Sequence, residues 1–414
     1  MSDSSISIAN ADQVLIPPQE GLEFCRLDQA SGFESPAGGV TVVEGRISSL
    51  ESTAGCGVEI DATGCSVIPG LVDCHTHLPF AGWRASEYEM KVTGVPYEEI
   101  ARQGGGIRSS ASAFADATDE EVLEQAGGLA GEMLAHGTSS FECKSGYGLT
   151  IDAELRSLRL ARELGSRVPQ QTRSTALVAH AIPDGKTSDS WLDEVEGALP
   201  EMVSAGASAL DIYVESVAFD NDDLLRVGRM AEDAGLDLRA HVEQFNQNRS
   251  VPVAIEAGAR SVDHLARLHP DDLSGLAASE CAAVLLPGAE FLGDEDVAPG
   301  RELCDAGAIC VLATDANPGT SPVVSMPLVI GLAVRRYGWS AREALVASTL
   351  NAAWVLRLER ECGSIEVGKR ADLLVLDGPV EALPYRFGHN PVGCAIVDGE
   401  IVHLRGDFEA RVNR

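Results

Sequence analysis

Residues 66–77 read SVIPGLVDCHTH, an apolar run that ends in His-x-His. In a strand, alternate side chains share a face, so His75 and His77 project together from the carboxyl end. Two imidazoles on one face form half of a metal site. Taken alone, such a pair is as often structural. It becomes informative only if other strands carry chemistry at the same end.

They do. Seven further strand-like runs follow: GTSSFECKSG, TALVAHAIP, ALDIYVES, LRAHVEQF, RSVDHL, AAVLLPG and ICVLATDAN. Amphipathic segments such as Ile151–Leu164, Leu224–Ala234 and Ala341–Leu356 separate several of them. Alternation of this kind predicts parallel β/α units and, with eight strands, an α/β fold of the (β/α)₈ TIM-like type. His241 ends the strand around Leu236–Ala240, His264 ends Ser261–Leu265, and Asp315 ends Cys310–Thr314. Barrel enzymes work at the carboxyl ends of their strands. His75, His77, His241 and Asp315 therefore predict a site for one divalent metal ion, and their nitrogen and oxygen donors suit Zn and Fe alike. Asp315 is also a candidate to take a proton from water. His264 is placed to polarise a carbonyl or to stabilise an oxyanion. His136, His269, His389 and His403 fall in helix or loop patterns and read as surface or packing residues.

Both ends of the chain look like parts of one sheet module. Gly39–Leu50, Ala371–Asp377 and Ala395–Leu404 are short β-rich runs, and Asp398-Gly399 is a hairpin signal. The expected division is a small β-sandwich module from residues 1–65 and 362–414, around a catalytic barrel of residues 66–361.

Composition narrows the function. The chain has 414 residues, 45% hydrophobic, enough for a large core, and a formal net charge of −32. So acidic a surface repels phosphates, which argues against nucleic acid as a partner. No apolar run approaches the ~20 residues of a membrane span, and the first residues lack the pattern of a signal peptide. Lys91, Lys144, Lys186 and Lys369 are the only lysines. Carboxylate-rich, lysine-poor surfaces suit proteins that stay soluble in concentrated salt, where screening suppresses self-repulsion. The 10 cysteines are scattered with no Cys-x-x-Cys. They read as small buried thiols in a reducing, cytoplasmic compartment. A homodimer is the commonest assembly for such a chain.

Particular motifs also carry a resemblance. PGLVDCHTH, the late ATD and Gly363–Leu373 (GSIEVGKRADL) resemble the amidohydrolase superfamily. Within it the chain is similar to the imidazolonepropionase family along nearly its whole length. The motifs are GWRASEYEMK (82–91), YEEIARQGGGI (97–107), CKSGYGL (143–149), AHAIP (179–183), HVEQF (241–245), SVDHL (261–265), VLLPG (284–288) and ATDANPGTSP (313–322). The resemblance implies hydrolysis of the cyclic amide of 4-imidazolone-5-propanoate to N-formimidoyl-L-glutamate, with metal-bound water attacking the ring carbonyl. A purine or pyrimidine deaminase on the same barrel is the alternative, and it would need no carboxylate clamp. The substrate is a small anion, and the protein is strongly negative, so a local Arg must attract it; the resemblance assigns this to Arg84. It also implies substrate contacts for Tyr97, Tyr147, His180, Gln244, Asn317, Gly319 and Thr320. Some relatives place an acid at the Gln244 position as general base. Here that role is expected of Asp315 and His264, with Glu243 as a further candidate. Lys144 falls on the strand that supplies a carboxylated bridging lysine in binuclear relatives. Because the resemblance implies one metal, Lys144 is expected to be structural.

Overall fold

Eight parallel strands surround the molecule's centre: β1 (Leu71–Asp73), β2 (Thr138–Lys144), β3 (Gln171–Ala179), β4 (Ala207–Val214), β5 (Asp237–Val242), β6 (Ser261–His264), β7 (Ala282–Leu285) and β8 (Cys310–Leu312). Each pairs with its neighbour in sequence, in the order β1 to β8. The sheet closes on itself beyond the last pair. His77 N–H donates to Ala316 O at 2.9 Å and Asp315 N–H donates to His75 O at 3.0 Å. In this computed structural model residues 5–413 are described, apart from 54, 56, 96, 103, 294 and 295.

Local sequence explains the elements. The strands read as near-continuous apolar runs, as expected where both faces are buried. Helices start at side-chain caps: Thr118 with Glu121, Asp220 with Asp223 and Ser340 with Glu343 each form a capping box. The helix Asn221–Ala234 ends at Gly235, whose φ of 68° is a left-handed conformation that glycine adopts freely. Among the described residues no helix is long and apolar enough to cross a membrane.

Two five-stranded sheets form the expected small module. In one, Ser5–Ala11 lies between Gly38–Val43 and Val58–Asp61. In the other, Leu373–Leu376 pairs with both Ser66–Pro69 and Val392–Val397. Ile8, Val40, Val42 and Ile60 from the first meet Val67, Leu373, Val375 and Ile396 from the second in one buried cluster. The Asp398-Gly399 hairpin turn forms as expected, with φ of 50° and 76°.

Two expectations change. The run from Ser66, expected to be one strand, is two. Ser66–Pro69 pairs in the module sheet, and β1 starts at Leu71. Gly70 is the joint, its N–H donating to Asp372 O at 2.8 Å. The amphipathic segment Ala341–Leu356, expected to be continuous, breaks into the helices Ala341–Ala347 and Leu350–Val355. At the break the hydroxyls of Ser348 and Thr349 bond back to the carbonyls of Ala344 and Leu345, competing with the helix ladder. The nine described cysteines are all buried free thiols, and Cys56 lies outside the described residues.

Candidate active site

The seam that closes the barrel also gathers its polar groups. Because β1 and β8 meet through the backbone of His75, His77, Asp315 and Ala316, three of the four expected ligands are brought together by the closure itself. Asp315 Oδ1 lies 3.4 Å from His75 Nε2 and 3.2 Å from His77 Nε2. His241, at the end of β5, has a ligand nitrogen within 4.8 Å of those of His75 and His77. All four side chains are buried.

The outer nitrogens are already committed. His75 Nδ1 donates to Asp263 Oδ2 at 2.6 Å, and His241 Nδ1 donates to Asp211 Oδ1 at 3.1 Å. The Nε2 atoms of both rings are buried without a hydrogen-bond partner. Carboxylates that fix a histidine's tautomer and leave the opposite nitrogen free are the usual support of metal ligands. The four residues therefore fit a metal ion. Electrostatics agree: burial and the Lys144 charge oppose protonation of His75, yet Asp263 and Asp315 draw it up to about 9, so positive charge is favoured there. His77 is pushed down to about 4, chiefly by burial.

Beneath the ligands lies a layer of buried charge that the sequence reading missed. Lys144 is fully buried, with its ammonium 2.6 Å from Asp211 Oδ2 and 3.0 Å from Glu142 Oε2. Arg239 pairs with the other oxygen of Glu142 and donates to Cys74 O at 3.1 Å. The signal was present in the strands: Glu142, Asp211, Arg239 and Asp263 interrupt otherwise apolar runs, two residues from a neighbour that also faces inward. Lys144 is thus a buried ion-pair partner of Asp211 and Glu142.

Three strand ends turn through unusual backbone. Glu243, His264 and Asp315 have φ of 56°, 82° and 55°. Non-glycine residues seldom adopt this region, and such strain concentrates at functional sites. At Glu243 the turn breaks the alternation that would have kept it inward with His241. Its carboxylate instead accepts the N–H groups of Asn248 at 3.2 Å and Ser250 at 2.7 Å. Burial raises it to about 7. Glu243 does not line the cavity, contrary to its expected candidacy, and Gln244 does. At His264 the same kind of turn brings a residue next to inward Asp263 into the cavity. Its ring centre is 5.5 Å from that of His241, and burial pushes its pKa down to about 3, so it is a neutral imidazole.

The cavity, about 410 Å³ including its open mouth, is lined by His77, His241, His264 and Asp315 on one side. Arg84, Tyr147, His180, Gln244, Asn317 and Thr320 complete it, with Ile107, Tyr213 and Phe245, which the sequence reading had not singled out. Arg84 is 7% exposed, and its Nη1 donates to Ser110 Oγ at 3.2 Å. Gly319 lies against that guanidinium: a Cβ there would sit 1.7 Å from Arg84 Nη2. Expected as a substrate contact, Gly319 is not among the lining residues and serves to make room for Arg84. His180 stacks on His77 with ring centres 5.4 Å apart, and its Nδ1 donates to Gly146 O at 3.0 Å, leaving Nε2 as an acceptor. The side chain of Tyr97 lies outside the described residues.

Buried acceptors pin the loops that carry this lining. Glu154 accepts the N–H groups of Gly146, Gly148 and Leu149 around Tyr147, at 2.7–3.0 Å. Glu215 accepts those of Gln244, Phe245 and Asn246, at 2.8–3.3 Å. Asn317 Oδ1 accepts those of Gly319 and Thr320 at 2.9 and 2.7 Å. Neither Glu154 nor Glu215 was anticipated. Their sequence signal is weak, because a carboxylate in a helix turn or just past a strand usually faces water.

A barrel mouth with a His₃Asp cluster, a neutral histidine and a buried guanidinium is suited to metal-assisted hydrolysis of a small anionic substrate. The amidohydrolase family profile matches residues 66–402, and the chain belongs to that family. Among curated relatives, an imidazolonepropionase from Rubrobacter xylanophilus is 42% identical over 83% of this chain and 83% of its own length. One from Herpetosiphon aurantiacus is 38% identical over 95% of this chain and 96% of its own length. Within the amidohydrolases, the chain therefore belongs with the imidazolonepropionases. In fold it is also similar to a zinc-bound adenosine deaminase from Xanthomonas campestris, with a TM-score of 0.72 at 18% identity, covering 96% of this chain and 93% of the other.

Proposed function

We propose that this enzyme hydrolyses the cyclic amide of 4-imidazolone-5-propanoate to N-formimidoyl-L-glutamate, using one Zn or Fe ion per chain. The observation that carries this reading is Arg84: a buried guanidinium shares one small cavity with the His₃Asp cluster in a protein of net charge −32. That pairing suits a small substrate with a carboxylate tail. When bound by His75, His77, His241 and Asp315, the ion supplies Lewis acidity and lowers the pKa of a water toward ~7.

The chain's own residues do the rest. Arg84 takes the propanoate through a charge-assisted pair, which fixes the ring in the cavity. His180 offers Nε2 to a ring N–H. Tyr147, Gln244, Asn317 and Thr320 close around the ring and tail. Neutral His264 donates to the oxyanion that forms when the ring carbonyl is attacked. Asp315 keeps Oδ1 beside His75 and His77, which leaves Oδ2 to receive the proton from water and pass it to the departing ring nitrogen. The base role falls to Asp315 rather than Glu243, whose carboxylate is engaged with backbone outside the cavity. A cytoplasmic homodimer belongs to the same reading, and analytical ultracentrifugation checks the assembly.

The test is turnover of freshly prepared imidazolonepropanoate, followed by loss of its ultraviolet absorbance and by ammonia assay. Metal-loaded protein should convert it without ammonia, and chelated protein should not. Arg84→Ala should raise KM about 10- to 100-fold, the equivalent of a lost charged hydrogen bond of roughly 1.5–3 kcal/mol. Folded, metal-loaded protein that leaves this substrate untouched but releases ammonia from a purine or pyrimidine would replace the reading with a deaminase.

A further inference from the structure

Asp211, His241 and Asp263 offer a second set of buried ligand atoms, all within 4.8 Å of one another. Glu142 adds a buried carboxylate oxygen, Oε2, whose partner is the Lys144 ammonium. The Lys144 ammonium stands among them, 2.6 Å from Asp211, 3.0 Å from Glu142 and 3.9 Å from Asp263. We propose that this ammonium is a resident cation occupying what would otherwise be a second metal position, and that it thereby holds the centre at one metal. The inference rests on the His₃Asp cluster binding the first ion.

The charges make the case. Glu142, Asp211 and Asp263 place three carboxylates in a dry barrel interior, against Lys144 and Arg239. Arg239 is turned to the far oxygen of Glu142 and to Cys74 O, so Lys144 is the cation that faces Asp211. Buried carboxylates without a cation are costly enough that a partner must be found. An ammonium supplies one charge from a covalently fixed stem, and its reach is set by β2. It also keeps Asp211 and Asp263 ionised as acceptors for His241 and His75. Removing the stem would leave three carboxylates and the space of a lysine side chain. Those carboxylate oxygens, with the His241 ring beside them, suit a divalent ion such as Mn²⁺. Lys144 is a positioning residue, because it acts on the first metal only through Asp211 and Asp263.

The experiment compares wild-type and Lys144→Ala holoprotein, both loaded with zinc, exposed to Mn²⁺ and dialysed. Zinc and manganese are then counted by mass spectrometry, and bound Mn²⁺ is read by electron paramagnetic resonance. The expected result is one zinc and no manganese in the wild type, against one zinc and one manganese in Lys144→Ala. Lys144→Met/Asp211→Asn, with one charge of each sign removed, should fold and stay at one metal. A folded Lys144→Ala protein that takes no manganese overturns the proposal. So does a protein that cannot be recovered folded even with Mn²⁺ present, since a metal would then not replace the ammonium. Wild-type protein that binds no zinc at all would instead refute the first metal site.

Discussion

Arg84 carries its charge into a nearly dry corner of the barrel mouth, and the residue that makes room for it has no side chain. A methyl group at Gly319 would fall 1.7 Å from Nη2 and 2.1 Å from Cζ of the guanidinium, so one of them must move. The loop cannot yield easily, because Asn317 clamps the N–H groups of both Gly319 and Thr320. The arginine side chain is the softer partner. Gly319→Ala should therefore reproduce Arg84→Ala: KM raised about 10- to 100-fold, from losing a charged hydrogen bond, with a much smaller change in kcat. Metal content should stay as in the wild type. Steady-state kinetics on both variants and their double decide the matter. If the double variant loses as much again as either single one, the two residues act independently and the packing argument fails.

The strands and helices show which parts of such a site can be read from residues alone. Histidines at the ends of apolar strands were readable because alternation and barrel topology both put them at one mouth. The roles of Glu243 and Gln244 were only half readable. Alternation predicts that one of them faces the cavity, but the left-handed turn at Glu243 decides which, and that turn depends on the N–H donors of Asn248 and Ser250 across the loop. The paired runs of the two termini were readable from β-rich patterning, whereas the joint at Gly70 was not, because no change of hydrophobicity marks it. Peripheral helices hide similar features. Glu290, on the helix Pro287–Gly293, is buried and receives the Tyr337 hydroxyl at 2.8 Å and Ala298 N–H at 3.1 Å. Burial raises its pKa from 4.5 to about 7. The folded state then holds a proton that the unfolded chain releases across that interval. Its contribution is complete below about pH 4.5 and is lost as pH rises through 7, on the order of 3 kcal/mol in all. Glu290→Gln keeps the neutral form at every pH. Its thermal midpoint should gain on that of the wild type steadily from pH 4.5 to 7.5, as followed by circular dichroism. A gap independent of pH would show that Glu290 is ionised in the folded protein.

Across the whole molecule the dominant quantity is the net charge of −32. Positive charge is so scarce that single guanidiniums serve several acids. Arg167 meets Glu120 and Glu163, Arg226 meets Asp193 and Glu196, and Arg405 meets Asp377 and Asp407. Two of the four lysines, Lys144 and Lys369, are buried and unavailable to the surface. Salt acts on this surface in opposite directions: it weakens the paired charges and also the repulsion among the unpaired ones. Exposed pairs are worth about 0–1 kcal/mol each, and many contribute nothing measurable. The repulsion is collective, since each surplus carboxylate feels all the others within a screening length of about 10 Å at 0.1 M salt and about 3 Å at 1 M. Relief of repulsion should therefore win. We expect the thermal midpoint to rise by several degrees between about 0.1 M and 2 M KCl, with most of the gain below about 1 M, where the screening length shortens most. Turnover of the anionic substrate should persist across the same range, because the Arg84 contact is buried and screened far less than the surface. Scanning calorimetry in KCl measures the first effect. A midpoint that stays flat or falls would mean that the shared arginine pairs outweigh the surplus of carboxylates, and that this surface is not built for salt.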